Sequence, residues 1–215
     1  METNHKVYLI GGSSHTGKTS IAQSIASQLC WHFQSTENIA QHVNRPWQTP
    51  PKPVKRFVAY HYETLSGEQL VADLERHYNR NVWPTASELI TTHACDHRQS
   101  HIVVEGAALL PDLVSQIDFE NVAKIWLTAP DEVLRERIHK TSEYELKSSS
   151  EKLLIDKFVE RTCRINHRIT SKAETYSLTA VDTSNYSSLS DLERVVLRKL
   201  KSQGQAYRME ESFFQ

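Results

Sequence analysis

One stretch near the start of the chain has the residue types and spacing of a phosphate-binding loop. The eight residues Gly12-Ser13-Ser14-His15-Thr16-Gly17-Lys18-Thr19 fit the pattern G-x-x-x-x-G-K-[ST] at every fixed position. Glycines let the backbone turn tightly, and the first turn of a following helix presents unpaired N–H groups to an anion. Lys18 can bridge the β- and γ-phosphates of a triphosphate, and the Thr19 hydroxyl can ligate Mg²⁺. The pattern therefore predicts a site for ATP and Mg²⁺, with an ordinary glycine turn between strand and helix as the alternative.

A carboxylate ends one of the apolar runs of the sequence. Glu105 follows Ile102-Val103-Val104, three β-branched residues typical of a buried strand. A carboxylate is rarely placed beside such residues without a partner. If this strand ends beside the phosphates, Glu105 can hold Mg²⁺ through water, and a structural salt bridge is the alternative reading.

Arginines form two groups in predicted helices, and both groups can supply positive charge to a phosphoryl group. They are Arg135 and Arg137 in one helix, and Arg161, Arg164 and Arg168 in another. The second group has the spacing i, i+3, i+7 and is predicted to share one helical face. The two groups could close over ATP as a lid and exclude water. The alternative is a solvated face paired with Glu160 and neighbouring acids.

Strands and helices alternate along the chain, which predicts an α/β fold with a parallel sheet covered on both faces. The predicted strands are short apolar runs at 7–10, 31–33, 102–106, 124–127 and 178–181. The predicted helices lie at 18–29, after a capping box at Ser66, after a second capping box at Thr85, from Pro130, at 148–169 and, after a capping box at Ser190, at 190–200. Four prolines between Asn44 and Lys55 predict an irregular loop.

Composition limits the classes of function. The 215 residues carry a formal net charge of -1 and are 39% hydrophobic, which supports a packed core and disfavours a nucleic-acid coat or a polybasic membrane anchor. No apolar run reaches the length of a membrane span, and no signal peptide is recognised. The three cysteines are scattered, which fits a reducing cytoplasm and excludes a zinc ribbon. A zinc site among His93, Cys95, His97 and His101 is disfavoured. The oligomeric state stays open.

These segments together resemble the P-loop kinases of the nucleoside/nucleotide-kinase-like group, which includes shikimate, gluconate and adenylate kinases. Within that group the sequence is most similar to the small bacterial 2-phosphoglycerate kinase-like proteins. The segments that carry the resemblance are Gly11 to Ser20, Ser35-Thr36-Glu37, Arg45-Pro46-Trp47, Ile102 to Gly106 and Trp126 to Arg137.

The resemblance implies a three-layer P-loop NTPase fold, with a parallel sheet of about five strands, flanking helices and a small helical lid. It places one kinase-like domain at 1–202, with an acceptor-binding region at about 36–100 and the lid at about 135–170. Residues 203–215 are expected to form a loosely ordered tail. Ser20 joins the phosphate loop in contacting ATP, and the loop around Asp182 to Asn185 is a candidate site for adenine.

Two further residues receive roles from the resemblance. Glu37 stands where relatives tend to carry Asp, and it would take the proton of the acceptor hydroxyl. The alternative is that Glu37 caps a helix starting at Thr36 or Asn38. Arg45 would bind an anionic group of the acceptor through its planar fork, or it is an ordinary surface arginine.

The sequence thus predicts a kinase that transfers the γ-phosphoryl group of ATP·Mg²⁺ to a hydroxyl of a small anionic metabolite. Lys18, Glu37 and Arg135 are its predicted catalytic residues. One alternative is an ATP-binding regulatory or interaction protein without transfer activity. Another is a nucleic-acid 5′-end kinase, which the nearly neutral charge disfavours.

Overall fold

The computed structural model of the protein describes residues 5–43, 45–48, 50 and 52–203. Five strands form one sheet in the order β2-β3-β1-β4-β5, and every neighbouring pair is parallel. The strands are β1 (Val7–Gly12), β2 (His32–Ser35), β3 (Ile102–Gly106), β4 (Val122–Thr128) and β5 (Ala180–Asp182). The predicted parallel sheet is confirmed, and the sequence pattern located all five strands to within a few residues.

Eight α-helices connect and cover the strands within the described ranges. They are α1 (Lys18–Leu29), α2 (Arg56–Thr64), α3 (Gly67–His77), α4 (Trp83–Cys95), α5 (Pro111–Val114), α6 (Asp131–Ser142), α7 (Ser149–Thr175) and α8 (Leu189–Ser202). A π-helical turn (Tyr78–Val82) joins α3 to α4, and short 3₁₀ turns cover Thr36–Asn38, Tyr144–Leu146 and Thr183–Asn185. Among the described residues, no helix combines the length and the hydropathy of a transmembrane segment.

The sheet is buried on both faces because successive side chains of a strand point to opposite sides. Val7 and Leu9 of β1 pack in a cluster with α3, α4 and α7, whereas Tyr8 and Ile10 pack with α1 and α8 on the other face. A third apolar cluster, around Phe158, joins α2, α6 and α7. The result is three layers, with the carboxyl ends of the strands left free to form a site.

Several helix starts agree with the sequence. Helix α1 has the predicted bounds, and complete capping boxes open α3 at Ser66 and α7 at Ser148. Helix α7 continues to Thr175 rather than ending at about Ile169. Pro130 is the residue before the first turn of α6 rather than a member of it.

Two predicted capping boxes are wrong. Thr85 lies inside α4, because the chain passes from α3 through the π-helical turn without leaving the helical region, so no helix end exists there to cap. Ser188, not Ser190, caps α8: its backbone is extended and its hydroxyl accepts a 3.1 Å hydrogen bond from the amide of Asp191.

Helices α2 and α5 were not predicted. Among the residues of α2 only Val58 and Tyr62 are buried, while Phe57 and Tyr60 are 60% and 66% exposed, so the apolar residues show no single helical face. Helix α5 has only four residues. Of the predicted tail, Gln203 is described, and its side-chain amide bonds both the N–H and the carbonyl of Lys124. Residues 204–215, like positions 44, 49 and 51 of the proline-rich loop, lie outside the described residues.

Candidate functional site

The loop after β1 folds back over its own lysine. Gly12 and Gly17 have φ angles of 137° and 89°, values that side-chain-bearing residues rarely adopt. A Cβ on Gly12 would lie 2.2 Å from the carbonyl oxygen of Leu127, so the close approach to β4 also requires glycine. Lys18 is buried, and its Nζ donates a 2.8 Å hydrogen bond to the carbonyl of Ser13. The ammonium group therefore points into the hollow of the loop.

Three charged residues predicted for the site act on this ammonium group. Burial lowers the pKa of Lys18, the carboxylates of Glu105 and Glu37 raise it, and the guanidinium of Arg45 lowers it further. These residues come from the end of β3, from the 3₁₀ turn after β2 and from the proline-rich loop. The fold therefore brings predicted residues from four separate segments to one place.

Glu105 is a buried carboxylate that accepts no hydrogen bond from the described residues. It is the fourth residue of β3, opposite Ile10 of β1 and Ser35 of β2 in the register of the sheet. The residue is 1% exposed, and neither carboxylate oxygen has a hydrogen bond from the described residues. Native proteins rarely leave buried carboxylates unpaired unless a water or an ion satisfies them. Glu105, with the exposed Thr19 at the start of α1, thus fits a Mg²⁺ ion held partly through water.

The turn that carries Glu37 is packed against the end of β3. A Cβ on Gly106, which has a φ of 152°, would lie 1.7 Å from Oγ1 of Thr36, so only glycine allows this contact. The cap of the turn is Ser35, whose hydroxyl accepts a 3.3 Å hydrogen bond from the amide of Glu37. The side chain of Glu37 is exposed and is not needed as a cap.

A cavity of about 280 Å³ lies directly beside the phosphate loop. Ser14 of the loop forms part of its wall, together with Glu37, Arg45, Tyr78 and Arg161. The π-helical turn places both of its ends, Tyr78 and Val82, in the same wall. Desolvation raises the pKa of the Tyr78 hydroxyl well above its ordinary value, so this group stays protonated and available as a donor.

Arg161 is a buried cation with unused donors. It is 6% exposed, and its Nε and Nη1 have no hydrogen bond from the part of the chain that the structure describes. Its guanidinium stacks over the rings of Phe158 and Tyr62, with centroid distances of 4.7 and 5.4 Å. A planar fork held in this way at the wall of a cavity suits a carboxylate or phosphate group.

The other two arginines of α7 do not join Arg161. Arg164 pairs with Glu160 at 3.0 Å and with Glu68 at 3.7 Å. Arg168 pairs with Glu68 and, at 2.6 Å, with Glu75. Both residues tie α7 to α3, as the solvated-face alternative expects. The spacing i, i+3, i+7 did not keep the three arginines on one functional face.

Arg137, rather than Arg135, contacts the phosphate loop. Its Nη1 donates to the carbonyl of His15 at 3.1 Å and to the hydroxyl of Thr183 at 3.0 Å. Thr183 begins the turn after β5, where the sequence placed the adenine. Arg135 is exposed and, two residues away on α6, points to nearly the opposite side of the helix. Which of these two arginines meets the phosphate loop depends on which face of α6 is turned toward it. The sequence does not reveal that orientation.

His15 fixes the tip of the loop. Its Nδ1 lies 2.9 Å from the Ser14 hydroxyl, and its Nε2 lies 3.0 Å from the hydroxyl of Thr141 on α6. Burial, followed by the nearby cations Arg45, Lys18 and Arg137, lowers its pKa to about 3. The imidazole is therefore neutral at physiological pH.

No protein-family model matches the chain, and neither does any curated protein. Solved structures do match. The shikimate kinase of Aquifex aeolicus shares 14% identity over 90% of this chain and 95% of its own, with a TM-score of 0.50. The chain has the fold of the P-loop kinases. A gluconokinase from Sinorhizobium meliloti aligns over 99% of this chain and 98% of its own, with 16% identity and a TM-score of 0.45.

At these identities the similarity establishes a fold and not an activity. The expected three-layer P-loop kinase architecture is confirmed by the five parallel strands and their flanking helices. The finer resemblance to 2-phosphoglycerate kinase-like proteins stays a prediction, since none of the matching structures described above is such a protein.

Proposed function

We propose that the protein is a kinase that transfers the γ-phosphoryl group of ATP·Mg²⁺ to a hydroxyl of a small anionic metabolite. The observation that carries this proposal is the adjacency of two features. The phosphate loop and the 280 Å³ cavity share Ser14, and the cavity wall contains the buried guanidinium of Arg161, whose Nε and Nη1 have no hydrogen bond from the described residues. A triphosphate and an anionic acceptor would therefore meet end to end.

The loop 12–20 would hold the polyphosphate of ATP with its backbone N–H groups and the N-terminus of α1. Lys18 would leave the carbonyl of Ser13 for the phosphate oxygens, a short movement for a flexible side chain. The Thr19 hydroxyl and Glu105 would hold Mg²⁺, which supplies neutralising charge between the β- and γ-phosphates when bound. Arg137 would orient the phosphate loop and the adenine-side turn together. The catalytic lid role predicted for Arg135, which is to supply charge to the transferring phosphoryl group, stays a prediction.

The acceptor would lie in the cavity with its anionic group on Arg161 and Arg45. The volume of about 280 Å³ is at or below the lower end of small-molecule pockets, which favours a compact metabolite over a nucleotide or an oligonucleotide end. A small carboxylated or phosphorylated hydroxy compound is both anionic and compact enough for this cavity. Glu37 would accept the proton of its hydroxyl, and catalysis would consist mainly of positioning and charge stabilisation.

A coupled assay for ADP release, run over a panel of carboxylated and phosphorylated hydroxy compounds, tests the proposal. Acceptor-dependent turnover is expected, with loss of turnover in Lys18→Met. In Glu37→Gln the rate should fall far more than the affinity for ATP, because the carboxylate acts on the acceptor and not on the nucleotide. An unchanged rate in Glu37→Gln would remove Glu37 from the mechanism.

The same measurements separate the remaining functions. Tight ATP binding with no acceptor-dependent ADP release would favour a regulatory protein. Binding to oligonucleotides that weakens steeply with salt would favour a nucleic-acid kinase. We also propose a cytoplasmic location, because Cys30, Cys95 and Cys163 are all free thiols.

A further inference from the structure

A cluster of two histidines and one aspartate lies outside the kinase machinery described above. His42 follows the 3₁₀ turn, His61 lies on α2 and Asp73 lies on α3. One potential ligand atom of each lies within 4.8 Å of the others, and no other such group of three occurs within 5–43, 45–48, 50 and 52–203. Three segments distant in sequence therefore bring metal-binding side chains together.

The two imidazoles of this His42–His61–Asp73 cluster have unused ring nitrogens. Nδ1 of His42 and Nε2 of His61 are both buried, and neither has a hydrogen-bond partner among the described residues. A buried polar atom without a partner costs free energy and calls for an unseen ligand. Each of these nitrogens can therefore offer a lone pair to a metal ion when its ring is neutral.

Asp73 supplies the negative charge of the cluster. Its Oδ2 lies 2.9 Å from Nε2 of His42, and its Oδ1 lies 3.0 Å from Nη1 of Arg76. The carboxylate provides the third potential ligand of the cluster, and its contact with Nε2 leaves Nδ1 of His42 as the ring nitrogen without a partner among the described residues.

The charges around the cluster decide which ions it can take. Arg161 faces both histidines, Arg76 pairs with Asp73, and the ring of His77 lies 4.8 Å from that of His42. A single carboxylate against these cations is too little for Mg²⁺ or Ca²⁺, which rely on several oxygen ligands. Neutral imidazole nitrogens bind Zn²⁺ and its transition-metal neighbours strongly without a negative charge.

We propose that His42, His61 and Asp73 bind one transition-metal ion of the Zn²⁺ class. A tetrahedral ion with bonds of about 2.1 Å holds its ligands about 3.4 Å apart, so the side chains must move inward by about 1 Å. His42 lines both the acceptor cavity and a second cavity of about 430 Å³. With three protein ligands, a fourth position is left for water or an anionic ligand from either cavity.

Metal titration of the full, tag-free chain tests this site. After treatment with a chelator, the protein is titrated with Zn²⁺ against a chromophoric competitor. One ion per chain is expected, and excess Mg²⁺ should not displace it. His61→Ala and Asp73→Asn should each weaken Zn²⁺ binding by about tenfold or more. His97→Ala removes an exposed histidine elsewhere and should leave the affinity unchanged.

Cobalt gives a second readout that a merely structural role would not change. Co²⁺ in place of Zn²⁺ should show the visible absorption of a four-coordinate site, and His61→Ala should abolish it. Circular dichroism checks folding, and His61→Gln replaces His61→Ala if the alanine variant unfolds. Equal Zn²⁺ affinity in the cluster variants and in the unmodified chain would overturn the proposal, as would a Co²⁺ spectrum of a six-coordinate aqueous ion. Metal binding at this cluster does not depend on phosphoryl transfer. The metal titration can therefore give a negative result while the kinase assay gives a positive one, and a positive result while the kinase assay gives a negative one.

Discussion

The hydroxyl of Ser13 donates a 3.0 Å hydrogen bond to Oδ1 of Asn166, and both residues are buried. The amide nitrogen of Asn166 in turn donates to the carbonyl of Ala129, at the end of β4, at 2.9 Å. One side chain on α7 thus links the phosphate loop both to the helix that carries Arg161 and to the residue that follows the interior strand β4.

Replacing Asn166 by alanine should therefore weaken two regions at once. Loss of both hydrogen bonds leaves buried polar groups unpaired, and we expect the free energy of unfolding to fall by about 1–3 kcal/mol. The affinity for ATP should also fall. Urea denaturation and calorimetry measure the two effects. Asn79→Ala removes an exposed amide and is the control. Unchanged ATP affinity in a destabilised Asn166→Ala would show that the link is only structural.

His15 predicts a specific pH dependence of stability. Its pKa is about 3 in the folded chain and 6.5 when unfolded, so the unfolded state binds more protons between these values. The contribution of the neutral His15 ring to the free energy of unfolding is fully present above pH 6.5, and it is lost as the pH falls toward 3. Between pH 7 and pH 5 the loss should be about 2 kcal/mol.

The variant His15→Asn isolates this contribution. Asparagine tolerates the positive φ of 64° at this position and does not titrate. The drop in urea midpoint between pH 7 and pH 5 should be smaller in His15→Asn than in the unmodified chain, and His97→Asn should behave like the unmodified chain. An identical drop in His15→Asn would contradict the assignment.

Arg161 should matter for the acceptor and not for stability. Arg161→Met keeps most of the apolar contact with Phe158 but removes a buried cation with unused donors, so the melting temperature should stay level or rise. The KM for the acceptor should increase by about tenfold or more. Added sulfate, used as a probe for the anionic group of the acceptor, should raise the melting temperature of the unmodified chain but not that of Arg161→Met. Arg164→Met, on the exposed side of α7, is the matched control, and it should cost less than about 1 kcal/mol and leave KM unchanged.

Glu105 should set the requirement for magnesium. In Glu105→Gln we expect the Mg²⁺ concentration for half-maximal rate to rise by about tenfold, because the amide is a much weaker ligand for the ion's water shell. Initial rates measured over a range of Mg²⁺ test this, with the exposed Glu120→Gln as control. A magnesium dependence identical to that of the unmodified protein would exclude Glu105 as a metal-site residue.

Arg137 and Arg135 form a matched pair on one helix. Arg137→Ala should raise the KM for ATP by about tenfold, because it breaks a charge-assisted hydrogen bond to the phosphate loop and another to the turn after β5. Arg135→Ala should change it little. Steady-state kinetics with both variants decides between them, and a larger effect from Arg135 would restore the assignment made from sequence.

The fold and the phosphate loop could be predicted because their signals are local. The pattern from Gly12 to Thr19 fixes residue types at fixed spacing, and the apolar runs of β1 and β3 mark a sheet buried on both faces. The capping box at Ser66 needs only four consecutive residues. Each of these features depends only on residues that are close to one another in the sequence.

The remainder of the site depends on how elements meet. Arg161, Arg164 and Arg168 look alike in sequence, yet one lines a cavity and two pair with acids of α3, because the packing of α7 against α3 separates them. His42 and His61 are nineteen positions apart in the sequence, and only the tertiary structure brings them to Asp73. His93, Cys95, His97 and His101 are closer together in the sequence, but within the described residues their potential ligand atoms do not form such a group of three.

The π-helical turn at Tyr78–Val82 gives this protein a place where the cavity can change without the fold. It contains about one residue more per turn than an α-helix, and both of its ends lie in the cavity wall. Because the wider turn takes up this extra residue, losing one residue there would leave α4 facing nearly the same way relative to α3. Ile90 and Ala94 would still cover the sheet. A gap in this segment should thus be tolerated by the core and should alter the wall that contacts the substrate.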